Sequence, residues 1–196
     1  IYGSAVERLR DVSSWKSRAA GTMGGVIFDA GPHTFHLLTW LCGPVQYVQA
    51  ATNRLGESSE VEDHAVVSGC LANGALFSAE FTFTAEVPWG ERLEVYGSEG
   101  TLIVDQLRNP PVVHYRGKTD VDGAPVEGVP YMPEAKQHDR AGWKFQSIAA
   151  GVAGFARSLS SSSPPPVSAE QGLYAIKVVE AAYESSKQGG RRVALN

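Results

Sequence analysis

The middle of the chain shows a strict alternation of apolar and polar residues that is typical of β-strands. From residue 77 to residue 85, phenylalanine and alanine occupy every second position, with serine, threonine and glutamate between them. A period of two gives a strand one apolar and one polar face. Strands are predicted at 45–54, 61–72, 76–85, 92–96, 101–105 and 112–116. Asn73-Gly74 and residues 97–100 supply tight turns, so we expect antiparallel hairpins.

Apolar residues spaced three and four apart predict helices on either side of these strands. Three leucines follow His33 at this spacing until Gly43 stops the pattern. Two further helices are predicted, from residue 143 or 144 to 159 and from 168 to 189. The second of these opens on a capping box and ends at a pair of glycines. Residues 118–140 predict a long loop, and residues 192–195 a final short strand.

The order of these elements predicts the fold class. Strands followed by helices, without regular alternation, indicate an α+β domain in which an open, mostly antiparallel sheet is covered by helices on one face. A sheet with mixed polarity on its other face commonly packs against a partner, so we expect a homo-oligomer formed through that face. A length of 196 residues and 43% hydrophobic composition suffice for one domain with a sizeable core.

Charge and cysteine content indicate which kinds of partner the protein can bind and in which cellular compartment it is expected. The net charge is −4, and no basic run could neutralise a series of phosphates, so nucleic acid is not expected as a partner. No apolar run approaches the ~18 residues of a membrane span, and the N-terminus lacks the pattern of a signal peptide. Cys42 and Cys70 have no CxxC spacing, and we interpret them as buried reduced thiols rather than a disulfide. We therefore predict a cytoplasmic protein.

Residues 24–43 contain the candidate chemistry. Two glycines lead into an apolar stretch that we interpret as a short strand ending at Asp29, after which Gly31-Pro32 turns the chain into a helix beginning at His33. Asp29 and His33 can then face each other across a single turn. An imidazole titrates near neutral pH and can move a proton, and a carboxylate can hold its tautomer and stabilise its cation. The pair is therefore a candidate acid/base site.

Two other interpretations of this segment stay open on spacing alone. Asp29 can simply cap the helix that His33 begins, because aspartate is a favoured N-cap residue. With His36 the spacing becomes D-x-x-x-H-x-x-H, which could hold zinc, although zinc-binding helical histidines more often lie four residues apart. We predict no metal site.

Trp15, Lys16 and Arg18 form a small aromatic and basic cluster just before the glycines. Such a cluster can bind hydroxyl groups or an anionic substrate, and an exposed turn is the alternative. We name these three residues, together with His36, as candidate substrate-binding residues.

Several phosphate-binding and nucleophile motifs are missing from the chain. No two of the 21 glycines are spaced G-x-G, so the dinucleotide fingerprint is absent. The patterns G-x-x-x-x-G-K-[ST] and G-x-S-x-G are absent as well. The sequence thus offers no phosphate cradle and leaves the cofactor-binding residues unknown.

The segment GGVIFDAGPH at 24–33, with LLTWLCG at 37–43, resembles the hallmark of the glucose–fructose oxidoreductase/inositol dehydrogenase (Gfo/Idh/MocA) family. Other segments resemble the family's sheet hairpins and terminal helix: VEDHA at 61–65, ANGA at 72–75, LEVYGSEGTL at 93–102 and VEAAYESS at 179–186. The likeness covers nearly the whole chain, from about residue 15 to residue 195.

The resemblance implies a two-domain enzyme of which this chain is the second part. Family members have an N-terminal Rossmann domain for NAD or NADP, followed by a dihydrodipicolinate-reductase-like domain that shapes the substrate site and mediates oligomerisation. Residues 1–196 are then a single C-terminal domain, and 1–20 are a remnant of the connection. The start at Ile1, without an initiator Met, fits this expectation. The family's Glu-Lys-Pro lysine and the cofactor site lie upstream or are lost.

The resemblance also assigns expected roles to the candidate residues. His33 and Asp29 match the family's D-x-x-x-H pair, which makes His33 the acid or base on the substrate hydroxyl and Asp29 its orienting partner. His36 stands where many relatives carry Asp, which leaves the polarity of that substrate wall open. The implied activity is NAD(P)-dependent hydride transfer on a sugar, cyclitol or polyol. The implied assembly is a homodimer or tetramer formed through the open sheet face.

Two alternatives accompany this expectation. The chain can be a non-enzymatic module that dimerises through its sheet and binds a ligand. Alternatively, redox chemistry at a sugar carbon also permits an NAD-assisted glycoside-cleaving or lyase activity within the same family.

Overall fold

The computed structural model describes residue 11 and residues 15–20, 22–55, 59–88, 90–108, 111–116, 128–131 and 140–195. Contacts group the chain into two compact units, one of Ile1–Trp89 with Ala169–Asn196 and one of Gly90–Ser168. Each unit is described by itself, and the single domain over residues 1–196 stays a prediction. No helix within the described residues is long and apolar enough to cross a bilayer.

From His33 onward the helices and strands follow one another in the order that the sequence predicts, with one added strand. The helices are α1 (Val26–Cys42), α2 (Arg140–Ser161) and α3 (Ala169–Lys187). The strands are β1 (Val45–Asn53), β2 (His64–Leu71), β3 (Leu76–Thr82), β4 (Arg92–Gly97), β5 (Gly100–Asp105), β6 (Val112–Arg116), β7 (Gly128–Tyr131) and β8 (Val193–Ala194). A 3₁₀ turn at Trp15–Ser17 precedes α1.

The first unit contains an antiparallel sheet of four strands in the order β3-β2-β1-β8. The hairpin between β2 and β3 turns at Asn73-Gly74, where Gly74 has a φ of 89° that suits a residue without Cβ. Strand β2 begins later than predicted, because the backbone oxygen of Glu62 accepts a hydrogen bond from Val26 at the start of α1 (3.0 Å). The predicted alternation and hairpin are confirmed.

The core of the first unit lies between this sheet and the helices α1 and α3. Phe35 of α1 is fully buried and meets Phe77 and Phe81 of β3 edge-on, with ring centroids 6.4 and 5.9 Å apart. The opposite face of the sheet is exposed at Val66, Ser68 and Glu80. Helices on one face and mixed polarity on the other are what the sequence predicts.

The segment before His33 departs from its predicted structure. Instead of a strand to Asp29 and a turn at Gly31-Pro32, one continuous helix runs over Val26–Cys42 with Pro32 inside it. Its buried residues, which share one helical face, are Val26, Ile27, Ala30, Gly31 and Phe35. Proline removes one intrahelical hydrogen bond. Burial of this face against the core outweighs that local cost, so tertiary packing overrides the turn signal.

The second unit contains the antiparallel sheet β4-β5-β6-β7 and the helix α2. The predicted turn at residues 97–100 joins β4 to β5. Strand β7 lies inside the segment predicted as a loop, because pairing with β6 gives order to a stretch that has no periodicity of its own. Residues 118–127 and 132–139 of that predicted loop lie outside the described residues. Helix α2 begins at Arg140, earlier than predicted.

Cys42 and Cys70 both carry free thiols, as predicted, but only Cys70 is buried as expected; Cys42, the last residue of α1, is half-buried. Helix α3 ends at Lys187, and Gly189 and Gly190, which both have positive φ, follow it. Strand β8 pairs with β1, so the predicted helix stop and final strand are also confirmed.

Candidate active site

A cavity of about 290 Å³ opens in the first unit beside the start of α1. Its lining residues come from the 3₁₀ turn, the segment just before α1, α1 itself, α3 and the chain just after β3; they are Lys16, Thr22, Gly24, Gly25, Phe28, Asp29, Pro32, His33, Phe83 and Ile176. Its walls are mainly apolar, and three ionisable groups converge on it. Concave apolar sites with a few convergent polar groups are typical of small-molecule binding sites.

Asp29 and His33 are brought together by helical spacing. They lie four residues apart on α1, so they share one side of the helix with Cβ atoms roughly 5–6 Å apart. His33 is exposed at the cavity. The capping alternative is wrong, because α1 begins at Val26 and the Asp29 N–H donates to the Gly25 carbonyl within the first turn (3.0 Å).

The carboxylate of Asp29 is held by a lysine. Asp29 Oδ1 accepts a hydrogen bond from Lys16 Nζ at 2.7 Å, and the two side chains are 38% and 30% exposed. Within the described part of the chain, no hydrogen bond joins Asp29 to His33. Because the ion pair is partly exposed, its contribution to stability is small. Its consequence is local, since the two charges neutralise each other at the cavity wall.

The other predicted substrate-binding residues do not line the cavity as far as it is described. Arg18 is exposed beside the 3₁₀ turn. His36 lies one turn beyond His33 on α1 and is half-buried, and among the described residues its buried Nε2 has no hydrogen-bond partner. The side chain of Trp15 lies outside the described residues. The structure thus brings together Lys16, Asp29 and His33 at the cavity. Substrate binding by Lys16 and by the other three residues stays a prediction.

Two residues that hold the start of α1 beside the cavity escaped the sequence analysis. Glu62 lies within the predicted strand at 61–72 and Tyr183 within the predicted helix at 168–189, and neither was named as a candidate site residue. In the structure the Glu62 carboxylate accepts hydrogen bonds from the N–H groups of Gly25 and Ile27 and from the Tyr183 hydroxyl. The available signal was the pair of glycines, because a helix that begins on glycine has no side-chain cap of its own.

The same geometry decides which ligands the described residues fit. No three His, Cys, Asp or Glu residues come together as a metal site among the residues described. The N-terminus of α1 is already satisfied by a carboxylate, so it is not open to a phosphate. Since the sequence also lacks G-x-G, the described residues do not fit the pyrophosphate of a dinucleotide.

Comparison with known proteins points to one family. The family model described as the C-terminal alpha/beta domain of an oxidoreductase family, GFO_IDH_MocA, matches residues 2–195. The myo-inositol 2-dehydrogenase of Thermotoga maritima is 28% identical over 171 residues, which are 84% of this chain and 48% of that protein. An uncharacterized oxidoreductase of Synechocystis is 30% identical over 127 residues, 58% of this chain and 33% of that protein.

Solved structures agree at the level of the fold. The structure of levoglucosan dehydrogenase in complex with NADH matches with a TM-score of 0.81, covering 100% of this chain and 57% of that chain at 16% identity. Identity this low shows the fold alone. The chain spans between 33% and 48% of the length of the two curated relatives.

Proposed function

Because the chain belongs to the GFO_IDH_MocA oxidoreductase family as its C-terminal α/β domain, we propose that it is the substrate-binding and acid–base half of an NAD(P)-dependent dehydrogenase. The observation that carries this proposal is the cavity on which His33, Asp29 and Lys16 converge. His33 and Asp29 are also the residues of the D-x-x-x-H pattern on which the sequence resembles this family.

His33 is the proposed acid or base. Oxidising a secondary alcohol requires removal of the proton from its oxygen, and an exposed imidazole at the cavity can accept that proton. Asp29, on the same side of α1, is placed to stabilise the imidazolium that forms. Lys16 holds the Asp29 carboxylate at the cavity wall and presents a charged donor to substrate hydroxyl groups.

The nicotinamide cofactor, NAD or NADP, would supply the hydride acceptor or donor. The described residues do not fit its pyrophosphate, so the proposal assigns its binding to residues outside this chain. The contribution of this chain is to bind the substrate and to move the proton.

The proposed substrate is a neutral sugar, cyclitol or polyol. The apolar side chains of Phe28, Phe83 and Ile176 offer surfaces for C–H groups, and the polar groups opposite can bind hydroxyls. The Lys16–Asp29 ion pair leaves little net charge to attract an acidic substrate. Two relatives are named for such compounds, inositol and levoglucosan.

We expect the 196-residue chain alone to show no oxidation of polyols with NAD or NADP. The protein expressed from the complete reading frame should oxidise at least one of them, because it would add the cofactor-binding residues. The measurement is the absorbance of the reduced nicotinamide with a cyclitol, an anhydrosugar and a linear polyol as substrates. Turnover by the chain alone would contradict the placement of the cofactor. No turnover by the complete product would favour the ligand-binding module.

The proposed assembly is a homodimer or tetramer through the exposed face of the first sheet. On that face Val66 and Leu76 are 43% and 77% exposed, among small and polar neighbours.

A long cation in the middle of the face should prevent close packing, so Ser68→Arg is expected to lower the mass measured by analytical ultracentrifugation to that of a monomer. Gln188→Arg, an exposed position after α3, is the matched control. An unchanged mass in Ser68→Arg would place the interface elsewhere.

A further inference from the structure

Helix α1 begins without a cap of its own. The N-cap residue is Gly25, and no local side chain accepts from the first N–H groups of the helix, which have no partner within the helix. Glu62, distant in sequence, takes this place. Its Oε2 accepts from the Gly25 N–H (2.9 Å), its Oε1 from the Ile27 N–H (3.2 Å), and its backbone oxygen from the Val26 N–H (3.0 Å).

Tyr183 of α3 holds this carboxylate in turn. The Tyr183 hydroxyl donates to Glu62 Oε1 at 2.6 Å. Burial of the phenol, and secondly its hydrogen bond to Glu62, raises the pKa of Tyr183, so the phenol keeps the proton that it donates. The negative charge of Glu62 is itself favourable at a helix N-terminus. We name these two residues the Glu62–Tyr183 clamp.

The two glycines let the clamp approach the helix. A Cβ atom on Gly24 would lie 1.9 Å from the Tyr183 hydroxyl oxygen, and one on Gly25 would lie 1.8 Å from the Glu62 backbone oxygen. Both glycines also line the cavity. The backbone of Gly24 and Gly25 therefore contacts the clamp and also forms part of the cavity wall.

The position of this backbone at the start of α1 determines where the proposed acid/base groups point. The Asp29 N–H donates a hydrogen bond to the Gly25 carbonyl, and His33 follows one turn later on the same side of α1. Any rotation of the first turn of α1 would therefore carry both side chains with it. We propose that Glu62 and Tyr183 are positioning residues, which fix the first turn of α1 and so aim Asp29 and His33 into the cavity. The catalytic part of this inference rests on the proposed function.

The test is Tyr183→Phe, which removes one hydroxyl and keeps the ring. Tyr174→Phe is the matched control, because Tyr174 is also half-buried on α3 and its hydroxyl both donates to and accepts from the backbone of Val45 (3.0 Å each), away from the cavity lining. In Tyr183→Phe, amide hydrogen exchange at Gly25 and Ile27 should speed up about tenfold, the factor that one ordinary hydrogen bond is worth. The ring resonances of His33 should also shift. Tyr174→Phe should change neither.

Kinetics on the protein from the complete reading frame supply a second readout. Misplacement of the reacting groups lowers the reaction rate more than it lowers the affinity for substrate. Tyr183→Phe should therefore lower kcat by about 10- to 100-fold and leave KM within about twofold. Glu62→Gln keeps the size of the side chain but replaces one acceptor oxygen by a donor, and it should give the same pattern. It also serves as the test if Tyr183→Phe does not fold.

Equal exchange rates and unshifted His33 resonances in Tyr183→Phe, matching Tyr174→Phe, would overturn the positioning role. These two measurements use the 196-residue chain and need no turnover. If His33 proves dispensable for catalysis, the proposed function fails while the exchange and resonance data still decide whether the clamp positions the helix.

Discussion

Replacing His33 by alanine should lower the turnover of the protein expressed from the complete reading frame by ~10² to 10⁴, the usual worth of a general acid or base. The expected loss follows from the position of His33 at the cavity, on the same side of α1 as Asp29. Since His33 is exposed, its removal should leave the fold intact. Steady-state kinetics with a polyol substrate measure the loss, and circular dichroism checks the fold.

His64→Ala is the control for this variant. His64 lies on β2, its Nε2 is 3.8 Å from Glu80 Oε1, and it does not belong to the cavity lining. We expect its kcat to stay within about twofold of the unmodified protein. A rate of His33→Ala as high as that of His64→Ala would leave the family's D-x-x-x-H pair without a catalytic role in this chain. A shared loss in both variants would instead indicate a general effect of removing a histidine.

Replacing Gly25 by alanine should destabilise the fold more than an ordinary substitution. The added Cβ would lie 1.8 Å from the Glu62 backbone oxygen, and a backbone atom cannot rotate away as a side chain can. The helix start must then separate from Glu62 and lose its cap. Overpacking and the lost cap together should lower the free energy of unfolding by about 2–5 kcal/mol. Urea denaturation of the 196-residue chain measures this change.

Gly172→Ala is the matched control, since Gly172 is an exposed glycine inside α3 and no described atom lies within 4 Å of the place that an added Cβ would take. Alanine favours the helix at such a site, so stability should rise by about 0.4–1 kcal/mol. Equal midpoints for the two variants would contradict the close approach of Glu62 to α1.

The strands and hairpins were predictable because their signals are local. Alternation along β3, and turn residues such as Asn73-Gly74, specify each strand from a few neighbouring positions. The end of α3 was equally local, since Gly189 and Gly190 adopt the positive φ that terminates a helix. The part of α1 before His33 was not predictable in this way, because its buried face outweighs Pro32 only once the core is assembled.

The candidate site was likewise predictable in part from local sequence and in part only from the tertiary structure. The sequence by itself determined that Asp29 and His33 lie four residues apart in a family motif, and that Lys16 is near them in the chain. Only the tertiary structure decided that Lys16 binds the Asp29 carboxylate and that all three line one cavity. The strand β7 is also a feature that only the tertiary structure decided, since it forms by pairing with β6 and its own residues show no alternation.

The clamp shows the physical reason most clearly. Glu62 lies 37 residues from Gly25, and Tyr183 lies 121 residues from Glu62, so no local pattern connects the three. The two glycines indicate that the helix needs a cap from elsewhere in the chain, but which residue provides it depends on how β2 and α3 pack. Local periodicity and turn chemistry determined the elements, whereas long-range burial and hydrogen bonding decided the direction in which the candidate acid/base groups point.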